Sequence, residues 1–272
     1  MAYTDLKELL PKLSKTRHKY EAGFVCAIAG SSGMYGAAKL LSLAALRSGC
    51  GIIKLISEKE VDYLPYEIVN LIIDFDETES ILQNLNVADS VLIGPGIGRE
   101  EKVEKMLGNI LPKIKPKLVL DADALHFFSN NNKCLLPKET ILTPHKKEML
   151  KLLNITKLEN DKILIEKTKK FSQDHNVIIV LKGHTTTIFH PQKDMLEITG
   201  GDPGLATAGS GDVLAGMIVS FLSQKLNPYE AAVLAVKMHF LTAEIAVKDK
   251  TSYGLIASDL IDYLPECFKK II

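Results

Sequence analysis

The sequence has no tryptophan, and its aromatic residues make up 6% of 272 positions, which by itself points to no function. Arginine is nearly absent, occurring only at Arg17, Arg47 and Arg99, so the positive charge is almost all lysine. Bidentate arginine clamps on phosphate are therefore not expected to dominate any site. Net charge is missing too: 33 basic residues balance 33 acidic ones. No global field would draw in nucleic acid or an acidic membrane surface. The four cysteines (Cys26, Cys50, Cys134 and Cys267) form no CxxC pair, and three lie in apolar runs. They read as reduced, mostly buried thiols of a reducing compartment, and Cys and His are too scattered for a zinc cluster. No apolar stretch approaches the ~20 residues needed to span a bilayer. The N-terminus has no apolar core of signal-peptide length, so a soluble, cytoplasmic protein is expected. The sequence also lacks GxxxxGK[ST], which excludes a P-loop, and neither glycine cluster at 30–36 or 94–98 meets the GxGxxG spacing.

What is present is an alternation of short Val/Ile/Leu runs with amphipathic segments. Strands are expected at 24–29, 52–56, 68–73, 90–93, 118–120, 140–142 and 177–181. Helices are expected at 37–47, 79–85, 101–110, 146–153 and 162–174. Near-continuous apolar strands imply burial on both faces, and alternation with helices implies parallel crossovers. Segments 185–189 and 195–199 follow with no intervening helix, so an antiparallel pair at one sheet edge is expected. Helices at about 209–223, 229–247 and 258–264 complete the chain. The length suits one α/β domain over 1–272, and no linker or internal repeat divides it.

The most informative segment is 200–212, GGDPGLATAGSGD, which runs directly into a helix with apolar residues at Val213, Leu214, Met217, Ile218, Phe221 and Leu222. That spacing buries one face and leaves the first-turn N–H groups without helical partners. Glycines allow close backbone approach, and the helix dipole adds partial positive charge. The segment is suited to phosphate or to a developing phosphoryl oxyanion. Asp212 stands at the same helix start. An aspartate there commonly serves as a cap, but beside an anion hole it is placed to take the proton of a hydroxyl attacking phosphorus.

Ala208-Gly209-Ser210-Gly211-Asp212, followed by Val213-Leu214-Ala215-Gly216, resembles the GxGD signature of ribokinase-like enzymes. Five further segments narrow the resemblance: the glycine cluster 30–38 with 44–51, GPGIG at 94–98, VLDADAL at 119–125, LTPH at 142–145, and LKGHTT at 181–186. Their order and spacing over about 23–264 resemble the ADP- or ATP-dependent NAD(P)H-hydrate dehydratases. The resemblance implies a three-layer fold with a mostly parallel central sheet flanked by helices. It implies phosphorylation of the 6-hydroxylated hydrate of NADH or NADPH (NADHX or NADPHX), with phosphate elimination restoring the dihydropyridine. It makes Asp212 the catalytic base and places Gly209 and Gly211 in the anion hole. Ala37, Gly96, His145 and Asp212 contact the hydrate; Lys182, Gly183, His184, Thr185, Thr186 and Gly211 contact the adenine nucleotide. Mg²⁺ bridges the phosphates, and a homotetramer is implied; no metal ligands are assigned, and neither nucleic acid nor membrane is a partner. The missing N-terminal epimerase domain fits the stand-alone type.

The sequence departs from that pattern in places. Lys146-Lys147 stands where Pro-Gly usually follows LTPH. Met238-His239-Phe240 replaces a glycine-containing His-Gly, and Glu244 a frequent Asp. Two other readings share the anion hole: a kinase for a small alcohol of vitamin-precursor type, and a nucleotide-binding regulator. GPGIG and LTPH favour the dehydratase over the first, and the presence of both base and glycine turn argues against the second.

Overall fold

A computed structural model describes residues 4–131 and 134–272. Nine strands form one sheet in the order β3-β2-β1-β4-β5-β6-β7-β8-β9. They are β1 (Phe24–Ile28), β2 (Ile52–Ser57), β3 (Ile68–Ile72), β4 (Ser90–Ile93), β5 (Lys117–Leu120), β6 (Ile141–Leu142), β7 (Ile178–Leu181), β8 (Thr185–His190) and β9 (Lys193–Thr199). β1 to β7 pair in parallel, and β8 and β9 are antiparallel, the edge hairpin expected where no helix intervenes.

Side chains of the central strands alternate between two cores because successive Cβ atoms point to opposite faces. Val25, Ala27, Leu55, Leu92 and Val119 join one buried cluster, and Cys26, Ile28, Ile56, Ile93 and Leu120 join the other. The first cluster is covered by α2 (Tyr35–Arg47), α8 (Ser210–Ser223), α9 (Pro228–Gly254) and α10 (Ala257–Ile271), with α1 (Thr4–Leu9) beside them. The second is covered by α3 (Thr78–Leu85), α4 (Glu101–Ile110), α5 (Asp123–Asn130), α6 (Lys146–Leu152) and α7 (Asp161–His175). This is a three-layer α/β architecture with apolar residues on both faces of the sheet.

α8 packs most closely on α2. A Cβ at Gly216 would stand 2.3 Å from the Leu41 carbonyl oxygen and 3.0 Å from the Ala44 methyl. Glycine inside a helix costs about 1 kcal/mol of propensity, and here it allows the two backbones to approach. α10 runs seven residues past the expected helix end at 264, through Pro265 to Ile271. Leu260, Ile261, Leu264, Cys267 and Ile271 are buried along one stripe, and that packing outweighs the hydrogen bond lost at proline. α9 is likewise longer than expected, although Thr251 (φ 62°, ψ 159°) breaks its helical path.

The chain builds β1, β2 and β3 toward one edge, then returns to place β4 on the other side of β1. A reversal of this kind opens a crevice beyond the strand C-termini. Gly94 closes its floor: a Cβ there would come 1.8 Å from the Asp121 carbonyl oxygen, at φ +132°. Gly94→Ala combines a backbone clash with a strained conformation. It is expected to lower stability by about 3 kcal/mol or more, read as a fall in Tm; an unchanged Tm would show that β4 and β5 can separate freely at this end.

Candidate active site

The site is assembled from loops at the C-terminal ends of β4 to β7 and from the N-terminus of α8. The chain leaves β5 through Asp121-Ala122-Asp123, and Ala122 is held at φ 49°, ψ −115°. This strained geometry sends the two flanking carboxylates to different tasks. Asp123 accepts from the Gly98 N–H at 3.1 Å and pairs with Arg99 Nε at 2.7 Å, fixing the Gly94–Gly98 turn. Asp121, 2% exposed, accepts from Lys182 Nζ at 2.9 Å. Lys182 follows β7, so the pair joins two strand ends separated by β6.

β6 ends in Thr143-Pro144-His145, and the Pro144 carbonyl accepts the Lys182 N–H at 2.8 Å. His145 caps α6: its Nδ1 accepts from the Glu148 N–H at 3.2 Å, and Glu148 Oε2 accepts from the His145 N–H at 2.8 Å. This reciprocal cap holds the Glu148 carboxylate near Lys182. Burial raises the Glu148 pKa above the usual carboxylate range, and the Lys182 ammonium opposes that rise. Burial would discharge Lys182, but Asp121, Glu148 and Asp212 around it outweigh burial and raise its pKa, so the lysine stays cationic.

α8 begins at Gly209, whose φ of +90° is open to glycine without strain. A Cβ at that position would also strike Leu40 Cδ1 at 2.4 Å. The backbone N–H groups of Gly211 and Asp212 have no protein acceptor among the described residues. The Lys182 ammonium lies 3.2 Å from where a Gly211 Cβ would be. Unpaired N–H groups and a fixed cation thus converge on one point, an arrangement that binds phosphate. Burial and the neighbouring Asp121 charge push the Asp212 pKa up to about 7, and Lys182 works against them.

A cavity of about 560 Å³ opens onto this point, with His145, Lys182, His184, Thr186, Gly211 and Phe240 in its walls. Gly183 also lines it. Thr185 turns instead to Thr199 on β9, hydroxyl to hydroxyl at 3.1 Å. The cavity roof, 200–205, is pinned to α9: Glu244 accepts from the Gly201 N–H at 3.0 Å, and Ser252 donates to Asp202 at 2.9 Å. Ala37 and Gly96 come together on the crevice side of the site. A Gly96 Cβ would sit 3.4 Å from the Ala37 methyl, and Leu40, one turn along α2 from Ala37, abuts Gly209. Of the expected hydrate residues, Ala37 and Gly96 thus lie together beside the start of α8, whereas His145 shares the cavity with the expected nucleotide residues other than Thr185.

A family profile described as NAD(P)H-hydrate dehydratase matches residues 25–266. The chain belongs to that family. The ADP-dependent (S)-NAD(P)H-hydrate dehydratase of Staphylococcus aureus is 32% identical over 266 residues, covering 96% of this chain and 94% of the relative. The ADP/ATP-dependent NAD(P)H-hydrate dehydratase of Bacillus subtilis, crystallised with ATP and Mg²⁺, is 28% identical, with a TM-score of 0.87 over 100% of this chain and 98% of its own. A ribokinase-like superfamily protein from Enterococcus faecalis is 29% identical, with a TM-score of 0.89 over 100% of this chain and 95% of its own. The chain spans about half the length of the bifunctional NAD(P)H-hydrate repair enzymes it also matches, 52% in the case of Moorella thermoacetica.

In this member of the dehydratase family, the departures from the usual pattern leave Gly209, Gly211 and Asp212 themselves unchanged. Lys146 pairs with Asp161 at 2.7 Å, half exposed to solvent. Glu244 holds the roof. His239 is buried in the cavity wall, its Nε2 3.1 Å from the Ser210 carbonyl oxygen, and burial drives its pKa down to about 4. A neutral ring donating from Nε2 thus steadies the turn that carries the anion site.

Proposed function

We propose that the chain restores NADH and NADPH from their 6-hydroxylated hydrates at the expense of an adenine nucleotide. The nucleotide enters the 560 Å³ cavity with its terminal phosphate on the Gly211 and Asp212 N–H groups and the Lys182 ammonium. The hydrate lies against Ala37, Gly96 and His145. Its hydroxyl oxygen attacks the terminal phosphorus, the hydroxyl proton passes to Asp212, and AMP or ADP leaves. The phosphate ester carbon adjoins the ring nitrogen, whose lone pair expels inorganic phosphate. Loss of the proton from the neighbouring ring carbon then restores the double bond.

The observation that carries this reading is Asp212, with its pKa near 7, at the lip of an unpaired helix start beside a fixed cation. A base is most effective when its pKa lies near the working pH. Turnover is expected to rise with pH through about 7 and level off above it. The donor set fits a magnesium ion carried on the phosphates. Among the described residues no three His, Cys, Asp or Glu side chains cluster to hold a metal alone, and magnesium is typically bound through one or two carboxylates, phosphates and water. Glu148, held near Lys182 by its cap, would supply a carboxylate, and when bound the ion would neutralise charge on the transferring phosphoryl group.

Cys26 and Cys50 are free and buried, with thiol pKa values pushed up to about 12, and this fits a reducing cytoplasmic setting. No helix among the described residues is long and apolar enough to cross a membrane. The homotetramer implied by the sequence resemblance belongs to the same proposal.

The test is to incubate the protein with NADH hydrate and Mg²⁺, add ADP or ATP in turn, and follow the absorbance of regenerated dihydronicotinamide. Signal that depends on one nucleotide establishes the reaction and its donor. A stable phosphoester without dihydronicotinamide would instead make the chain a small-alcohol kinase.

A further inference from the structure

A second cavity, of about 260 Å³, lies at the C-terminal ends of β1 and β2 and is not used by the chemistry above. Its walls include Gly30, Ser31, Tyr35, Glu58, Lys59 and Phe75. It adjoins the hydrate residues: Ile97 of its lining follows Gly96, Tyr35 precedes Ala37 by two positions, and the Gly30 N–H donates to the Pro95 carbonyl at 2.9 Å. It is too small for a whole dinucleotide and suits one half of it.

Glu58 follows the last residue of β2, the strand next to β1. Its Oε1 is anchored twice, by Lys102 Nζ at 2.5 Å and by the Phe75 N–H at 3.3 Å. Its Oε2 has no partner among the described residues. One oxygen is thus fixed to the protein while the other faces outward as a pre-oriented acceptor. In parallel α/β sheets that bind dinucleotides, an acid at this strand end accepts from the ribose 2′-hydroxyl, and the dinucleotide crosses the crevice where the strand order reverses. The glycine spacing of the Rossmann fingerprint is absent here, but the same elements meet at the same place.

We propose that this cavity receives the adenosine half of the dinucleotide substrate, with Glu58 Oε2 on the 2′-hydroxyl, and that Glu58 makes the chain prefer NADH hydrate to NADPH hydrate. The inference rests on the dehydratase reading for its substrate. Tyr35 and Phe75 supply flat walls for the adenine, and Lys59 at the rim faces the pyrophosphate. A 2′-phosphate would bring its negative charge against Glu58, with Glu100 in the same wall.

The test measures binding of NADH and of NADPH to the full chain with the donor cavity filled by a non-hydrolysable ATP analogue, alongside turnover of the two hydrates. The wild type is expected to bind NADH at least tenfold more tightly than NADPH, and kcat/KM for the hydrates is expected to follow the same order. Glu58→Gln should narrow the preference to within threefold, and Tyr35→Leu should weaken both dinucleotides about equally. Equal or tighter NADPH binding by the wild type, no saturable binding of either, or an unchanged preference in Glu58→Gln would overturn the proposal. A tenfold NADH preference without turnover of either hydrate would leave this subsite standing and remove the dehydratase reading; turnover of both hydrates without preference would do the reverse.

Discussion

Asp212→Asn is expected to remove ~10²–10⁴ of turnover, the usual contribution of a positioned general base, and at the same time to make the protein more stable above pH 7. The two effects share a cause. Burial and Asp121 raise the Asp212 pKa from an ordinary 3.8 to about 7, so the folded state holds this proton more tightly than the unfolded chain does. Stability from the group is fully present below about pH 4 and is lost as pH rises through about 7. At pH 8 the ionised carboxylate is a burden on the fold. At about 1.4 kcal/mol per unit, the shift sets a ceiling of about 4 kcal/mol, and the partial exposure of Asp212 reduces this to roughly 2 kcal/mol. Asparagine carries no such charge, keeps the shape and leaves the nucleotide contacts in place. Denaturant melts of both proteins at pH 5 and pH 8, together with turnover, check the prediction. Turnover within threefold of wild type would remove Asp212 as the base. A stability difference that does not grow between pH 5 and pH 8 would remove the raised pKa.

This trade of stability for function also shows where the sequence was readable and where it was not. The elements were readable because each is specified locally. FVCAI, VLI and IIVL are short runs bounded by turn residues, and a strand buried on both faces needs nothing else. The antiparallel edge followed from two strand-like runs with no room for a crossover helix. The glycine turn was readable because glycine at 209 answers a local demand, a positive φ at a helix start. The partners around it were not readable in the same way. Asp121 and Lys182 are 61 residues apart and meet only because the sheet sets β5 and β7 on either side of β6. Asp121 stood out as a strand-end acid, but nothing in its neighbours says that it points to a lysine and Asp123 to a turn; the strain at Ala122 decides that. Glu148 had a faint local signal, an acid three residues after His145 at capping-box spacing. His239 and Glu244 stood out only as departures from the family pattern, with no local sign of their targets, the Ser210 carbonyl at the start of α8 and the Gly201 N–H on the loop before it.

Gly209 and Gly211 are two kinds of glycine at the start of α8, and substitution of Gly211 carries the second large effect. Gly209 is needed for conformation as well as space. Gly211 has ordinary helical backbone, so a side chain there is tested by space alone, and helix propensity even favours one. A Cβ would lie 3.2 Å from Lys182 Nζ, the far end of a flexible chain that can yield by a few tenths of an ångström. Gly211→Ala is therefore expected to fold normally and to hold nucleotide within about tenfold of wild type. Gly211→Val adds two further carbons into the volume where phosphate meets the N–H groups. It must push the ammonium away from Asp121, whose 2% exposure leaves that carboxylate little water to replace the lost partner. ADP and ATP affinity should fall at least a hundredfold, while the secondary structure is kept, because the disturbance lies in a cavity wall rather than in either core. Titration of both variants with each nucleotide checks the order. If the valine variant bound nucleotide as the wild type does, the phosphate would lie elsewhere, and the unpaired N–H groups at the start of α8 would lose their assigned role.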